Sequence, residues 1–235
     1  MSKVLHHILD RVVSNRGASR PPVLIFDLDH TLFDNGPRTA AILTEFAESV
    51  DDLELRGRLA GMRRHNLPYL LREILAEVGE VRDELVHAAM KFWFHRFFTD
   101  AYQRFDEPLP GACLFVNDCF SAGATIVYLT GRDVPKMLLG TTESLRRHGF
   151  PVGLARTHLV LKPDFETPDY DFKRDVLEHM VTLGEVVGCF ENEPGNCNLF
   201  QSRFPGAATV LLETTFAPNP PPLDPGIVRI PDFRR

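Results

Sequence analysis

The sequence predicts an α/β fold: a Rossmann-like parallel sheet with helices on both faces, plus an inserted α-helical cap. Strand-like apolar runs alternate with helical patterns in residues 1–36 and again in residues 109–235, as they do in parallel sheets with crossover helices. Residues 37–108 instead show helical spacing with few strand-like runs. Reactive side chains follow several of the strand-like runs, which is where parallel sheets bind their ligands.

The first predicted element is an amphipathic helix in MSKVLHHILDRVVSNR. Apolar pairs recur along it at helical intervals: Val4/Leu5, Ile8/Leu9 and Val12/Val13. We expect these pairs to dock on the rest of the fold. Acids, histidines and basic residues interrupt the segment, so it lacks the continuous apolar core of a signal peptide. A buried strand, VLIF, follows it.

The predicted cap, residues 37–108, is rich in Leu, Glu, Arg and Ala. Its strongest helical segment is FWFHRFFTDAYQRF. The apolar side chains of this segment fall three or four positions apart, as on one face of one helix: Phe94, Phe97, Phe98, Ala101, Tyr102 and Phe105. We expect this face to pack against neighbouring helices rather than to bind a cofactor.

Strand and helix patterns alternate again from residue 109. A helix ends at Gly123, and the strand ATIVYLT comes next. The remaining predicted elements are, in order, a helix near 136–148, the strand THLVL, a helix at about 172–183, and the strands EVVGCF and AATVLLE on either side of an acidic turn, ENEPGN. The tail from Ala217 has too many prolines for regular structure, and we expect it to lie on the surface.

The composition excludes several classes of function. With 235 residues, of which 44% are hydrophobic, the chain can bury a sizeable core. A net charge of -6 argues against a general binder of nucleic acid or membrane surfaces, which needs a broad basic surface. The four cysteines have no CxxC spacing, so the sequence indicates neither a zinc site nor a disulfide framework and fits a reducing cytoplasm. No segment is long and apolar enough to cross a bilayer.

The candidate functional residues lie at the ends of the predicted strands. Asp27 and Asp29 follow the first strand, Thr130 and Gly131 follow the second, and residues 191–193 follow a later one. Because the carboxyl ends of parallel strands share one edge of the sheet, we expect these residues to converge. Two aspartates at i and i+2 project the same way, and two close carboxylates either share a cation or take up a proton.

These motifs resemble those of the haloacid dehalogenase superfamily of phosphohydrolases. The matched positions are Asp27, Asp29 and Thr31 in VLIFDLDHTLFD, Thr130 in IVYLTGR and Lys173 in DFKRDVLEHM. His30 stands where glycine is commonest in the family, and ENEPGN matches the fourth, acidic motif in part. The matches extend from Val23 to Asn196, and the resemblance implies a helical cap between the first and second motifs.

The resemblance also implies a chemistry. Asp27 attacks phosphorus and becomes an aspartyl phosphate, while Asp29 protonates the leaving oxygen and then deprotonates the attacking water. Lys173 supplies positive charge to the nucleophile and the phosphate. Lys162 also follows a strand-like run, but Lys173 opens a helix directly before the last acidic strand and is therefore preferred.

The phosphate and the metal have their own expected ligands. Thr130 and Gly131 are expected to bind the phosphate. Mg²⁺ is the expected cofactor, because it prefers hard oxygen ligands, and the candidate metal residues are Asp27, Asp29 through its backbone carbonyl, Glu191 and Asn192. The fourth motif departs from the family, which usually has at least one aspartate there. Which of Glu191 and Glu193 reaches the metal stays open, although Glu191 is favoured and Glu193 is expected to be a solvated turn residue.

The leading hypothesis is a Mg²⁺-dependent phosphatase acting on a small phosphorylated metabolite. A phosphomutase or phosphotransferase uses the same aspartate pair, and a binding protein could keep the fold while the altered fourth motif removes turnover. A dehalogenase is disfavoured, because halide displacement does not need Asp29. Arg63, Arg64 and His65, in the segment GMRRHNLP, are candidate substrate contacts, with a solvated helix face as the alternative for each.

Overall fold

Six parallel strands form the central sheet of the protein. The structure, a computed structural model, describes residues 3–234. Its elements in chain order are α1 (Lys3–Ser14), β1 (Pro22–Phe26), β2 (Phe33–Asp34), α2 (Gly36–Ser49), α3 (Leu53–Ala60), α4 (Leu71–Glu77), α5 (Asp83–Phe97), a 3-10 helix (Asp100–Phe105), β3 (Glu107–Pro108), α6 (Ala112–Ala122), β4 (Thr125–Asp133), α7 (Val134–Arg147), β5 (Thr157–Lys162), α8 (Asp169–Met180), β6 (Glu185–Glu191), α9 (Pro194–Arg203), β7 (Ala208–Leu212) and β8 (Val228–Ile230).

The strand order is β5-β4-β1-β6-β7-β8, and every neighbouring pair in this sheet is parallel. Apolar side chains cover both faces. One cluster includes residues of α1 and α6, and the other includes residues of α8 and α9. β1 therefore lies in the interior with all five of its residues buried, which is why it consists entirely of apolar residues. The predicted α/β fold class is confirmed.

Helix α1 docks through one face, as its apolar spacing predicts. Leu5, Ile8 and Val12 are fully buried in the first of the two clusters. Spacings of three and four place these side chains above one another on the helix, so a single stripe faces the sheet. No helix among residues 3–234 combines the length and the apolar character that crossing a membrane would need.

Helices α2 to α5 form an insertion with an apolar cluster of its own. Its centre includes Leu43, Leu55, Leu75 and Val86, one residue from each of these helices. β2 and β3 form an antiparallel pair in which Phe33 faces Pro108 and Asp34 faces Glu107. The chain therefore leaves the core and returns to it at neighbouring points.

The expectation of one continuous helix through FWFHRFFTDAYQRF was wrong. α5 ends at Phe97, and a separate 3-10 helix begins at Asp100. The second part is bound to α7: the Asp100 carboxylate accepts a hydrogen bond from the Gly140 N–H at 2.6 Å, and the Gln103 amide donates to the Met137 carbonyl at 3.0 Å. These tertiary hydrogen bonds override a spacing that favours one helix.

The expectation of an irregular surface tail was correct for its proline-rich first half only. Residues 228–230 form β8, whose Ile230 carbonyl accepts a hydrogen bond from the Glu213 N–H at 2.8 Å. Phe233 is 1% exposed and packs against Phe115 and Phe190 in the core. Prolines restrict only the residues next to them, so the apolar segment that follows the last of the proline run is free to add a strand.

Candidate active site

The turn after β1 places two carboxylates at the carboxyl edge of the sheet. The Asp27 N–H donates to the Phe190 carbonyl at 3.0 Å, which extends the pairing of β1 with β6 by one residue. The Leu28 carbonyl then accepts the N–H groups of the three residues 31–33 and closes the turn. His30 has φ 57°, a left-handed conformation that glycine adopts at no cost. The backbone thus explains the family's preference for glycine at the position of His30.

Lys173 joins the first and fourth motifs. Its Nζ lies 2.8 Å from Asp27 Oδ1, 2.8 Å from Glu191 Oε2 and 3.3 Å from Asp169 Oδ2. Burial lowers the pKa of Lys173, but the charges of Asp169, Asp27 and Glu191 outweigh burial, and the pKa lies well above its ordinary value. The charged form of this lysine is therefore favoured, next to the Asp27 carboxylate.

One ammonium does not balance the carboxylates around it. Burial, and next the charge of Glu191, raise the pKa of Asp27 well above its usual value, against the lowering effect of Lys173. Asp27, Glu191 and Asp169 together bring more negative charge than Lys173 neutralises, so a proton or a further cation is favoured at this point. A divalent cation would balance this excess of negative charge without protonating Asp27.

Asp29 is bound by arginines that the sequence analysis did not identify. Arg132 forms a two-point contact, with Nη2 2.8 Å from Oδ1 and Nε 3.0 Å from Oδ2, and Arg38 Nη2 lies 3.5 Å from Oδ1. Burial raises the pKa of Asp29, but the charge and hydrogen bonds of Arg132, together with the charge of Arg38, outweigh burial and hold it well below its usual value. Both arginines also pair with the buried Asp106. Asp27 and Asp29 therefore contact different cations.

The fourth motif turns Glu191 inward. Its side chain is fully buried, and Oε1 accepts the backbone N–H groups of Asn192 and Glu193 at 3.0 and 3.1 Å. The longer side chain thus folds back onto its own turn, as the substitution for aspartate requires. Glu193 differs from the solvated residue that we expected, because its carboxylate accepts the Ala217 N–H at 2.9 Å.

Asn192 connects the fourth motif to the first motif and to the segment after β7. Its Oδ1 accepts a hydrogen bond from the Thr31 hydroxyl at 3.1 Å, and its Nδ2 donates to the Thr215 carbonyl at 2.6 Å. The Thr215 hydroxyl in turn donates to the Leu67 carbonyl of the insertion at 2.8 Å. Residues 214–217 thus bridge the site and the insertion.

The donor set fits a small, hard cation. Asp169 Oδ1 is buried and accepts no hydrogen bond, and it lies against Gly131, where a Cβ would come within 2.3 Å of it. Among residues 3–234, no three His, Cys, Asp or Glu side chains form a metal cage by themselves. Magnesium suits such a site, because it binds one or two carboxylates and keeps several waters. Asp169 thus joins the candidate metal residues, and the sequence analysis missed it.

The two candidate phosphate-binding residues of the second motif are placed differently. Gly131 lines the cavity beside Asp169, whereas Thr130 is fully buried beneath it. The Thr130 hydroxyl accepts a hydrogen bond from the Arg132 N–H at 3.3 Å. In this structure Thr130 therefore supports the turn that carries Arg132.

The three candidate substrate residues of the insertion lie outside the cavity. Arg63 pairs with Glu77 on the surface, and His65 Nδ1 lies 3.0 Å from Asp34 Oδ2. The Arg64 carbonyl packs against Gly36, where a Cβ would approach it to 2.1 Å. The same loop does reach the cavity, but through its next residues, 67–70.

A cavity of about 550 Å³ opens above these carboxylates. Its floor consists of polar residues at the carboxyl edge of the sheet: Asp27, Asp29, His30, Arg132, Lys173, Glu191 and Asn192. Its roof comes from the insertion. The cavity therefore brings together residues from separate strand ends: Asp27, Asp29, Gly131 and residues 191–193.

No family model matches the sequence, and no curated protein matches it. Solved structures do. A haloacid dehalogenase superfamily hydrolase of subfamily IA from Geobacter sulfurreducens superposes with a TM-score of 0.53 at 15% identity, covering 93% of this chain and 95% of that one. CbbY from Rhodobacter sphaeroides, solved with phosphate, gives 0.51 at 15% identity, with 91% and 95% covered.

Protein Tyrosine Kinase A of Mycobacterium tuberculosis gives a TM-score of 0.54 at 14% identity, with 90% of this chain and 94% of that one covered. A protein named as a kinase and proteins named as hydrolases thus share one architecture, and the fold alone does not assign the reaction. The resemblance seen in the sequence motifs is confirmed at the level of the fold. This chain has the fold of the haloacid dehalogenase superfamily hydrolases.

Proposed function

We propose that this protein is a Mg²⁺-dependent phosphatase that hydrolyses a phosphate monoester of a small molecule through an aspartyl-phosphate intermediate. One observation carries the proposal: the Asp27 carboxylate lies at the end of β1, 2.8 Å from the buried Lys173 ammonium, on the floor of a cavity roofed by the insertion. A nucleophile with a fixed positive charge beside it is what phosphoryl transfer requires.

In the first step an Asp27 carboxylate oxygen attacks phosphorus, and the bond from phosphorus to the ester oxygen breaks. Lys173 holds the attacking carboxylate and offsets charge on the phosphoryl oxygens. The leaving oxygen takes a proton. Asp29 is the nearest candidate donor in the turn, but Arg132 and Arg38 favour its ionised form, so its help to the leaving group is the weaker half of its role.

In the second step water attacks phosphorus and the bond to Asp27 breaks, which releases inorganic phosphate. The ionised Asp29 carboxylate accepts the proton of that water. The arginine contacts hold this base in one orientation, and by lowering its pKa they also make it a weaker proton acceptor. Asp27, the Asp29 carbonyl, Glu191, Asn192 and Asp169 are the residues that would hold magnesium. Magnesium, when bound, supplies positive charge to the phosphoryl oxygens.

We also propose that residues 37–108 act as the cap of this site. Support comes from the cavity, whose roof is built by several parts of the insertion: the start of α2, the loop 67–70, α4, and the second half of α5 with Phe98. A cover of this kind excludes water from the phosphoryl group and selects the organic part of the substrate.

Hydrolysis of p-nitrophenyl phosphate with and without Mg²⁺ tests the proposal. Wild type should release phosphate only with the metal, and Asp27→Asn should reduce turnover to background while its thermal unfolding stays unchanged, because the amide has nearly the same shape but is not a nucleophile. Mass spectrometry should detect a phosphoryl or fluoroaluminate adduct on wild type alone. Turnover that survives in Asp27→Asn would exclude the aspartyl-phosphate mechanism.

The same assay separates the alternatives. If p-nitrophenol is released in the presence of an acceptor alcohol without an equal release of inorganic phosphate, the protein is a phosphotransferase. Binding of phosphate esters without any turnover would identify a binding protein whose altered fourth motif no longer supports catalysis.

A further inference from the structure

The cavity has two chemically different halves. Its floor is polar, and its roof is mainly apolar, with the Gly36 backbone, the Thr39 and Tyr69 hydroxyls and the Trp93 N–H as its polar groups. The apolar roof residues are Leu67, Pro68, Tyr69, Leu70, Leu71, Ile74, Met90, Trp93, Phe94, Phe97 and Phe98. Within the described residues, the insertion contributes no charged side chain to the cavity wall.

The aromatic part of the roof is preassembled. Trp93 and Phe97 stack with their ring centroids 4.4 Å apart, and Phe94 meets Phe98 edge to face at 5.4 Å. These rings hold one another in place, so a ring that enters the cavity meets an ordered surface.

The roof also exposes apolar area. Tyr69 is 50% exposed, Phe94 47%, and Leu70 and Met90 42% each. Single exposed apolar residues are ordinary, but four that border one cavity form a patch whose burial would be favourable. The segment FWFHRFFTDAYQRF was expected to form a packing face, and its first half instead lines the cavity.

Polar partners for a substrate are scarce in the roof. The Trp93 Nε1–H already donates to the Thr39 hydroxyl at 3.1 Å. On the floor, Arg132 and Lys173 are already paired with carboxylates. The roof therefore offers the polar or charged groups of a sugar, a nucleotide or a second phosphate few partners apart from the Tyr69 hydroxyl, and burial of such groups without partners costs binding free energy.

We infer that the substrate is a phosphate monoester whose organic group is an uncharged, mainly aromatic hydrocarbon, held by the roof while the phosphate meets Asp27 and Lys173. The inference rests on the proposed phosphatase function and names its substrate class. A cavity of about 550 Å³ is within the usual range for small-molecule sites.

The kinetic test compares esters of primary alcohols, so that the leaving group does not decide the outcome. We expect kcat/KM for 3-phenylpropyl phosphate to exceed that for glycerol 3-phosphate and glucose 6-phosphate by on the order of 100-fold, from burial of the phenyl group. Equal or higher values for the two polar esters would overturn the inference and leave the phosphatase proposal intact.

A binding test does not depend on turnover. Calorimetry on the wild-type protein with Mg²⁺ should show 2-naphthylmethylphosphonate binding at least about 10-fold more tightly than methylphosphonate. If that difference is found while no ester is hydrolysed, the apolar site stands and the phosphatase proposal fails. Equal affinities would overturn the apolar site itself.

Variants locate the effect. Phe94→Ala and Leu70→Ala should each lower kcat/KM for 3-phenylpropyl phosphate by about 5- to 10-fold, and should lower it less for glycerol 3-phosphate. Leu53→Ala is the matched control, because Leu53 is an exposed apolar residue of the insertion away from the cavity. A loss of the same size for both esters in Phe94→Ala and Leu70→Ala, or in Leu53→Ala, would count against the inference.

Discussion

At the scale of single residues, the main feature of the candidate site is the contrast between the surroundings of Asp27 and Asp29. They are two positions apart, yet one contacts a lysine and the other a pair of arginines. The motif predicts both carboxylates but not this separation. Arg38, Asp106 and Arg132 come from distant parts of the chain, and no local spacing indicates that they meet. Of these three residues, only Arg132 could have been suspected from the sequence, because it directly follows the Thr-Gly pair of the second motif.

Asp29→Asn should uncouple the two steps. Formation of the acyl phosphate should continue slowly with an aryl phosphate, which needs little proton donation, while its hydrolysis should stop because the amide is not a base. Rapid-quench measurements should therefore show a burst of p-nitrophenol without a steady state. Equal losses for aryl and alkyl phosphates would contradict this role.

Lys173→Met should lower kcat by about 100- to 1000-fold, because it removes the charge beneath the nucleophile. Lys162→Met is the control. The Lys162 ammonium donates to the carbonyls of Phe165 and Thr167, at 3.3 and 2.9 Å, and lies outside the cavity wall. Its loss should lower the melting temperature with little change in kcat. If Lys162→Met lowered kcat more than Lys173→Met, the third motif would be assigned to the wrong lysine.

Glu191→Gln should raise the magnesium concentration needed for half-maximal activity steeply, since it removes a buried charge from the candidate metal site. Glu193→Gln should change it little, because that carboxylate, although it borders the cavity, is already bound to the Ala217 N–H. Glu191→Asp should be tolerated. Calorimetric titration of the three variants with magnesium decides which acid binds the metal. If the magnesium affinity is unchanged in Glu191→Gln and lost in Glu193→Gln, Glu193 is the metal ligand.

At the scale of elements, Arg38 couples the insertion to the core. It lies on the first turn of α2, donates to the Phe97 carbonyl at the end of α5 at 3.1 Å, and pairs with Asp106, directly after the 3-10 helix. One guanidinium therefore contacts both ends of the insertion and Asp29. The position of the roof and the orientation of the proposed base depend on the same side chain.

Asp106→Ala should lower the free energy of unfolding by about 3 kcal/mol or more, because it leaves two buried arginines short of a partner. Glu54→Ala, which breaks the exposed pair with Arg58, should cost less than about 1 kcal/mol. Urea unfolding of both variants measures the difference. Comparable losses would mean that the network adds little to stability.

Helix and strand patterns predicted most elements of the core, because burial on both faces of a parallel sheet leaves long apolar runs in the sequence. They failed where a contact far along the chain decides the local structure. The helical spacing continues past Phe97, but Gly140 and Met137 hold the following residues in a separate 3-10 helix. β8 is only three residues long and forms because it pairs with the free edge of β7, which its own sequence does not indicate.

At the scale of the whole molecule, the position of the site could be predicted because it follows from the topology of the sheet. Parallel strands gather their carboxyl ends on one edge, so residues at strand ends converge whatever lies between them. Which residues line the cavity roof could not be predicted, because a stripe of aromatic residues has the same sequence pattern whether it faces a neighbouring helix or a cavity. The basic residues of GMRRHNLP were predicted to contact the substrate because of their charge, but the apolar residues 67–70 next to them line the cavity instead.

The antiparallel pairing of β2 with β3 has a consequence for how such a protein can change over evolutionary time. Because the two ends of the insertion are side by side, the segment between them can grow, shrink or be exchanged at a loop-closure cost that rises only with the logarithm of its length. Asp27 and Lys173 lie outside that segment. Under the proposed function, selection can therefore change which molecule is accepted without changing the proposed nucleophile or its lysine, and two descendants of one ancestor can act on different substrates through the same chemistry.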